Sequence, residues 1–319
     1  MKFRLILAVA GMTTGLMAEP AAVAPKTGVL HVQGNVYMIY GAGANITMQV
    51  GEQAVVLVDS GEAAMSGEVR RLIRTVSDRP IALIVDTSFD RDHTGGNGNL
   101  AKGGFFFFAS PNETRPEASK VAHQRILDRM SAQDSGIPQE DWPEDTYDDT
   151  DWKLFANEEP VIVEYAPNAH GDGDSIVFFR RSDVVSMGDI FDMTRYPVID
   201  AKHGGSLQGI LKTVNHVLKD ITVPRNNEEG GTYVIPGHGR ICDRYELANY
   251  RDMLSIIRDR IQDSIGKGKT LDQVKAARPT FDYDGEFGVD NGPWTTDMFV
   301  EAVYRELKAG KESKEGKDK

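Results

Sequence analysis

The stretch VDTSFDRDHTGGN at residues 85–97 decides the fold, because it joins an apolar run to a dense group of polar side chains. Residues 81–85 (IALIV) have the pattern of a buried strand. Alternation beyond the end of that strand places three oxygen-bearing side chains on one side, with an imidazole directly after them. These side chains are Ser88, Asp90, Asp92 and His93. Crowded carboxylates raise one another's pKa unless a cation lies among them. The stretch therefore predicts a metal site at a strand end.

The composition of the 319 residues is that of an ordinary soluble chain, with 40% hydrophobic and 26% charged residues. A net charge of −12 disfavours binding to nucleic acid or to anionic membranes. The single cysteine, Cys242, excludes an intramolecular disulfide framework. No His or Asn accompanies it in segment 240–243 (RICD), so we interpret it as a packed residue.

The first 18 residues (MKFRLILAVAGMTTGLMA) are organised as a signal peptide. Lys2 and Arg4 precede a short apolar run, and Ala18 is a plausible cleavage residue. The run is too short for a transmembrane helix. We therefore expect an exported protein, periplasmic or secreted, with no membrane span in its mature form. The alternative is an uncleaved, lipid-facing anchor.

Strand-like and then helical patterns occur twice in the same order, which indicates two similar layers facing each other. The predicted strands are 28–31, 36–40, 46–50, 54–58, 81–85, 105–108, 161–165, 175–179, 184–187 and 232–235. The predicted helices are 63–76, 116–131, 206–219 and 245–265. Residues 267–308 are expected to form a C-terminal helical extension. The Lys/Glu/Gly-rich residues 309–319 are expected to form a disordered tail.

Residues 134–151 are rich in Asp, Glu, Pro and Trp, and the pattern predicts a long loop. One interpretation is a solvated linker between the two halves. The other is a flap over a site, with Trp142 and Tyr147 touching the substrate, since long ordered loops are often functional.

Three further strands are followed by ligand-type residues. The stretches are VIVEYAPNAHGDGD (161–174), VVSMGD (184–189) and YVIPGHG (233–239). Each places a His or Asp beside glycine, where the backbone turns tightly and can approach an ion. A single His or Asp of this kind is weak evidence, but four strand ends together favour a metal centre.

The ordered set DHTGGN (92–97), HGDGD (170–174), GD (188–189) and PGHG (236–239) resembles the metallo-β-lactamase superfamily. Residues RYPVID (195–200) before GGS (204–206) are similar to its exported members. The resemblance spans about 28–262 and implies an α/β fold, the four-layer αββα sandwich, over residues 27–266. That fold carries its metal site at the strand ends along one edge.

The opening stretch departs from the family motif His-x-His-x-Asp-His. Here the motif is Ser88-x-Asp90-x-Asp92-His93, so both leading histidines are replaced. The resemblance implies a second metal site held by Asp92, His93 and His238, with Asp189 bridging. It implies a first site that retains His170 and Asp189, joined by Asp90.

Two interpretations of the altered first site stay open. Asp90 ligates in one of them, and an oxygen-rich set then favours harder ions such as Mn²⁺ or Fe²⁺. Ser88 would then donate a hydrogen bond to a bound water or ligate weakly. In the other, the first site is lost and one Zn²⁺ sits among four protein ligands, as in closed structural sites. One zinc ion is thus expected, and two under the first interpretation.

A calcium loop of the EF-hand type is a competing interpretation. The alternating oxygen ligands would be Asp86, Ser88, Asp90 and Asp92. However, position six of that loop is Arg91 instead of Gly, and position twelve is Asn97 instead of Glu.

The resemblance implies a metal-dependent hydrolase in which a hydroxide generated at the ions attacks a carbonyl. Asp92 would orient the nucleophile, Asp189 would hold the ions together, and His170 would complete the catalytic set. The resemblance implies a small-molecule substrate, and lactones, β-lactams, esters and thioesters are the candidates. Two alternatives are a non-hydrolytic metal enzyme with redox chemistry, and a metal-binding, catalytically silent protein. The oligomeric state is not predicted.

Overall fold

The computed structural model describes residues 27–105, 107, 116–225 and 230–317. The expected signal peptide, residues 1–18, lies outside the described residues. None of the helices described is both long enough and apolar enough to cross a bilayer.

The first sheet contains seven strands in sequence order. They are β1 (Gly28–Gln33), β2 (Val36–Tyr40), β3 (Ile46–Val50), β4 (Val55–Val58), β5 (Ile81–Val85), β6 (Ser119–His123) and β7 (Asp145–Tyr147). Strands β1 to β4 form an antiparallel meander, and β4 to β7 pair in parallel. All five residues of β5 are buried, as expected for a parallel strand covered on both faces.

The second sheet has six strands in the order β13-β12-β11-β10-β9-β8. They are β8 (Asp151–Ala156), β9 (Glu159–Tyr165), β10 (Ser175–Phe179), β11 (Val184–Ser186), β12 (Tyr233–Ile235) and β13 (Cys242–Asp243). The pairing is antiparallel except between β11 and β12.

Helices cover the outer face of each sheet. They are α1 (Ser66–Arg74), α2 (Arg91–Thr94), α3 (Asn97–Ala101), α4 (Gln124–Met130), α5 (Leu207–His216), α6 (Arg244–Gly266), α7 (Leu271–Ala276), α8 (Asp284–Phe287) and α9 (Thr296–Lys317). A π-helical turn, Val217–Ile221, extends α5. Helix α6 begins at a capping box in which Asp243 and Glu246 satisfy each other's backbone N–H groups.

Three apolar cores separate four layers. Residues such as Val85 and Val163 fill the space between the sheets. Helix α1 covers the first sheet, through residues such as Leu72, and helices α5, α6 and α9 cover the second. This arrangement confirms the predicted αββα sandwich. Helix α9 packs against α6 and α7 in the core that covers the second sheet.

The predicted helix over 116–131 is wrong in its first half. Residues 119–123 form strand β6, which pairs in parallel with β5 and is buried throughout, and the helix begins only at Gln124. Pairing with a distant strand therefore overrides the local helical spacing. The strand predicted over 105–108 is also wrong where it is described, since Phe105 and Phe107 lie in no strand. Residues 106 and 108 lie outside the described residues.

Residues 134–151 are not one continuous loop. They contain a helical turn, Gln139–Asp141, and the short strand β7, which pairs with β6. Helix α9 continues through Lys317, into the residues for which a disordered tail is predicted.

Candidate metal centre

The motif of residues 88–93 lies directly beyond β5. Asp90 occupies the N-cap position of α2, with extended backbone, so that the chain turns sharply after the strand. The Ser88 hydroxyl oxygen accepts the backbone N–H of Asp90 at 3.1 Å and fixes that turn. The turn brings the side chains of Asp90, Asp92 and His93 to the sheet edge, with His93 fully buried.

The six predicted ligands fall into two groups whose ligand atoms lie within 4.8 Å of one another. We name these groups the His238 half-site and the His170 half-site. The His238 half-site consists of Asp92, His93 and His238. The His170 half-site consists of Asp90, His170 and Asp189.

Asp189 connects the half-sites, because its two oxygens face different imidazoles. Its Oδ1 lies 3.1 Å from His93 Nε2 and 3.3 Å from His238 Nε2. Its Oδ2 lies 4.0 Å from His170 Nε2. A carboxylate in this position can bridge two cations.

His93 is oriented by a buried carboxylate that is not among the predicted ligands. Asp59, which follows β4, accepts from His93 Nδ1 at 2.8 Å. Thr87 in turn donates its backbone N–H and its hydroxyl to Asp59. Asp59 has a left-handed backbone with φ 65, a conformation that Asp tolerates better than most residues. Such carboxylate–histidine pairs fix the tautomer and ring orientation of a metal ligand.

His170 has a different support. Its Nδ1 faces the carbonyl oxygen of Val198 at 3.0 Å, and its Nε2 faces Asp90 Oδ2 at 3.0 Å. Asp90 therefore points into the His170 half-site, not toward solvent or Arg91.

The donor set fits a divalent cation. His93 Nε2 is buried and has no hydrogen-bond partner among the described residues. Because Nδ1 donates to Asp59, a neutral His93 presents a bare lone pair at Nε2, toward the oxygen of Asp189. Two facing lone pairs repel unless a cation or a proton lies between them. Imidazole nitrogens with carboxylate oxygens are common ligands of Zn²⁺, Mn²⁺ and Fe²⁺.

The mutual charges shift the pKa values of the ligands. Burial lowers the pKa of His93, but the carboxylates of Asp189 and Asp59 outweigh it and raise that pKa well above its usual range. Burial likewise opposes, but does not prevent, a rise in the pKa of His238 to about 9 beside Asp189 and Asp92. The pKa of Asp189 lies well below its usual range because His93 and His238 outweigh burial. The imidazoles and carboxylates of the site thus favour each other's charged forms.

A network of hydrogen bonds and an ion pair supports the motif of residues 88–93. Asn97 donates to both oxygens of Asp86, at 3.0 and 2.9 Å, and to the carbonyl of Asp141. Arg91 pairs with the Asp141 carboxylate at 3.0 Å. Burial raises the pKa of Asp86 well above its usual range, although the hydrogen bonds from Asn97 oppose this rise.

A cavity of about 90 Å³ opens onto both half-sites. Its wall includes Asp192 and Arg195, which sequence reasoning did not assign to the site. Arg195 Nε lies 3.2 Å from Asp192 Oδ2, so the buried carboxylate holds the guanidinium at the cavity. The RYPVID stretch contained Arg195, but its pattern carried no sign of this contact.

The remaining predicted residues have other surroundings. The Trp142 indole donates to the carbonyl of Ile137, and Trp142 packs, as does Phe89, against a small core that includes Ile126. Tyr147 is buried in β7, where its hydroxyl lies 2.6 Å from that of Ser175. A substrate contact of either ring stays a prediction. Cys242 is a buried thiol in β13, as expected for a packed residue.

The EF-hand interpretation is wrong. Asp90 and Asp92 belong to different half-sites, and the carboxylate of Asp86 is bound by Asn97.

A family model described as the metallo-beta-lactamase superfamily matches residues 33–238. The chain belongs to this superfamily. Its members generally bind divalent metals, usually zinc, and the two half-sites are candidate ligand groups for such ions. None of the curated proteins matches the chain.

Solved structures with the same fold include hydrolases. The stereoselective inverting sec-alkylsulfatase Pisa1 from Pseudomonas sp. is 14% identical, with a TM-score of 0.63, over 88% of this chain and 50% of that one. The metallo-beta-lactamase from Pontibacter korlensis is 15% identical, with a TM-score of 0.55, over 72% and 99%. The DIM-1 metallo-beta-lactamase is 15% identical, with a TM-score of 0.53, over 72% and 98%. The chain spans about half the length of the alkylsulfatase, and these identities indicate the fold alone.

Proposed function

We propose that this chain is a metal-dependent hydrolase of small molecules that uses both half-sites. The observation that carries the proposal is the position of Asp189, whose two oxygens face the imidazoles of the two half-sites. Two divalent cations, when bound, supply Lewis acidity and a water of lowered pKa at neutral pH.

The side chains around the cavity have different roles in the proposed reaction. Asp92 and Asp90 are each about one-third exposed at the cavity, so their carboxylates can orient a water molecule as well as bind a metal ion. His170 and His93 are held rigidly by their Nδ1 partners. Arg195 contributes the cationic side chain of the cavity wall and is suited to hold an anionic part of the substrate.

The donor types suggest different ions for the half-sites. The His238 half-site offers two imidazoles and a carboxylate, a set suited to Zn²⁺. The His170 half-site offers one imidazole and two carboxylates, which suits Mn²⁺ or Fe²⁺ as well.

A second candidate, a silent metal-binding protein, is favoured by one observation. Asp92, His93, His238 and the nearby oxygen of Asp189 supply four protein ligands, and four ligands close a zinc site against substrate.

Metal content separates the two candidates. The mature chain is purified without chelator, its metals are counted by mass spectrometry, and it is titrated with Zn²⁺ and Mn²⁺. We expect two ions per chain, with turnover in a panel of lactones, β-lactams, esters, thioesters and sulfate esters. The sulfate esters enter because of the alkylsulfatase neighbour.

A matched pair of variants completes this experiment. Asp90→Asn removes one charge from the His170 half-site and should abolish turnover, whereas Asp148→Asn alters an exposed carboxylate elsewhere and should not. One tightly held zinc ion per chain, with no turnover across the panel, would contradict the hydrolase and support the silent protein.

We also propose that the protein is exported to the periplasm or secreted. The proposal rests on residues 1–18, and amino-terminal sequencing of protein from the exported fraction tests it. A mature chain that begins after Ala18 is the expected result, and recovery of the intact chain from the cytoplasm would oppose it.

A further inference from the structure

A second cleft, of about 520 Å³, lies behind the metal centre and has no role in the proposed function. Phe191 and Met193 form its wall on the side of the superfamily fold. The rest of its aromatic lining comes from α6, which contributes Tyr245 and Tyr250, and from the C-terminal helical turns, which contribute Tyr283 and Phe287. We name it the aromatic cleft. Its volume lies in the range of small-molecule sites, which are mostly apolar with a few polar groups.

The aromatic cleft is distinct from the metal cavity, although one segment contributes to both. Phe191 and Met193 line the aromatic cleft, whereas Asp192 and Arg195 line the metal cavity. The backbone of the segment is held between them, because the Met193 N–H donates to the carbonyl of His238 at 3.0 Å. A molecule in the aromatic cleft therefore does not reach the metal ligands directly.

The rim of the aromatic cleft is negatively charged. Its charged residues are Arg240, Asp243, Glu246 and Glu286. Arg240 is neutralised by its ion pair with Glu246. Glu286 is exposed and has no hydrogen bond or ion pair among the described residues, so its charge is available to a ligand. Asp243 adds a further negative charge at the start of α6.

We propose that the aromatic cleft binds a small organic cation with an apolar body, such as an alkyl- or arylammonium ion. Tyr245 and Tyr283 line the cleft and supply the aromatic rings that attract a cation, and burial of the apolar body against Phe287 and Met193 adds the hydrophobic contribution. The carboxylates at the rim complement the charge, whereas an anionic ligand of the same shape is repelled.

Most of the cleft lining lies outside the part of the chain that the family model matches. Tyr245, Tyr283, Glu286 and Phe287 all follow residue 238, where the match to the superfamily ends. The proposal does not depend on hydrolysis, and its test requires no turnover.

The test uses the mature, zinc-loaded chain with ¹³C-labelled methionine methyl groups and benzyltrimethylammonium as the probe. Met193 and Met253 both line the cleft, so their methyl resonances should shift in a saturable manner, with Met193→Leu and Met253→Leu providing the assignments. Glu286→Gln and Tyr283→Leu should each weaken binding about two- to fivefold, since one exposed cation–π or charge contact contributes about 0.5–1 kcal/mol.

Two controls make the result specific. Glu158→Gln alters a carboxylate that is 82% exposed and does not line this cleft, so binding should be unchanged. Benzoate has an apolar ring with the opposite charge and should not bind. Equal shifts with benzoate, or none with benzyltrimethylammonium, would overturn the proposal. Methyl resonances that move with protein concentration alone would indicate that a second copy covers the cleft, and would overturn it as well.

Discussion

The two half-sites contain similar ligands but differ in what supports them. In the His238 half-site, His93 is fully buried and its Nδ1 is held by the buried carboxylate of Asp59. In the His170 half-site, His170 is almost as buried, but its Nδ1 is held by the backbone carbonyl of Val198. A buried carboxylate both orients an imidazole and increases its basicity, whereas a carbonyl mainly orients it. The first arrangement therefore favours tighter binding of a cation than the second.

The largest effect is expected for Asp189→Ala, because this substitution removes the shared carboxylate from both half-sites at once. Both ions should be lost on dialysis, with a decrease in affinity larger than the about 10- to 100-fold that loss of an outer partner causes. Mass spectrometry of bound metal provides the measurement, and Asp148→Ala serves as the control. Unchanged metal content would refute the bridging role.

Asp59→Asn tests the support of the His238 half-site alone. Asn keeps the shape and accepts the left-handed backbone, but it removes the charge from His93. We expect an about 10- to 100-fold loss of affinity in this half-site and none in the other. Titration with Co²⁺, followed by visible absorption, resolves the two binding events. Equal weakening of both would mean that Asp59 acts on the whole sheet edge and not on His93.

The pH dependence of metal binding gives a smaller, graded effect. In the metal-free protein the pKa of His238 is raised to about 9, so an incoming cation displaces a proton at neutral pH. Affinity should rise with pH, by at most about tenfold per unit for each displaced proton, and level off above about 9. The His238 ion pairs stabilise the metal-free fold below pH 6.5, and this contribution is lost as pH rises through about 9. Calorimetry in buffers of different ionisation enthalpy counts the protons, and absence of proton release at pH 7 would disagree.

The smallest expected effect concerns ion preference in the His170 half-site. Asp90→His, alone or with Ser88→His, replaces oxygen ligands by nitrogen and should raise the affinity ratio of Zn²⁺ to Mn²⁺ several-fold. Competition titration measures that ratio, and the His238 half-site provides the internal reference. A gain of hydrolysis in the double variant would indicate a degenerate site, whereas loss of a native activity would indicate a tuned one.

Much of the fold could be predicted from local pattern, because β5 and the meander before it have clear periodicity and clear turns. Strand β6 could not be predicted, because residues 119–123 (SKVAH) and the helical residues 124–130 (QRILDRM) form one uninterrupted local pattern. Only pairing with β5 makes residues 119–123 extended. Strand β7 has three residues, too few for any periodic signal.

The residues of the site, too, could be predicted only where a local pattern identifies them. The ligands could be predicted because each follows a strand beside characteristic neighbours. The role of Asp59 depends on a contact with His93 across 34 positions, and the role of Arg195 depends on the shape of a cavity. Such contacts depend on how the sheets pack, which no short pattern records.

Each half-site takes ligands from both sheets. His93 and Asp90 follow strand β5 of the first sheet, whereas His238 and His170 follow strands of the second. Each bound ion therefore acts as a cross-link between the two halves of a chain whose single cysteine can form no internal disulfide. An ion at 100 times its dissociation constant adds about 2.7 kcal/mol to the free energy of unfolding. The melting temperature of this protein should thus track the free metal concentration of its compartment, so that scarcity of metal acts on the lifetime of the protein as well as on its chemistry.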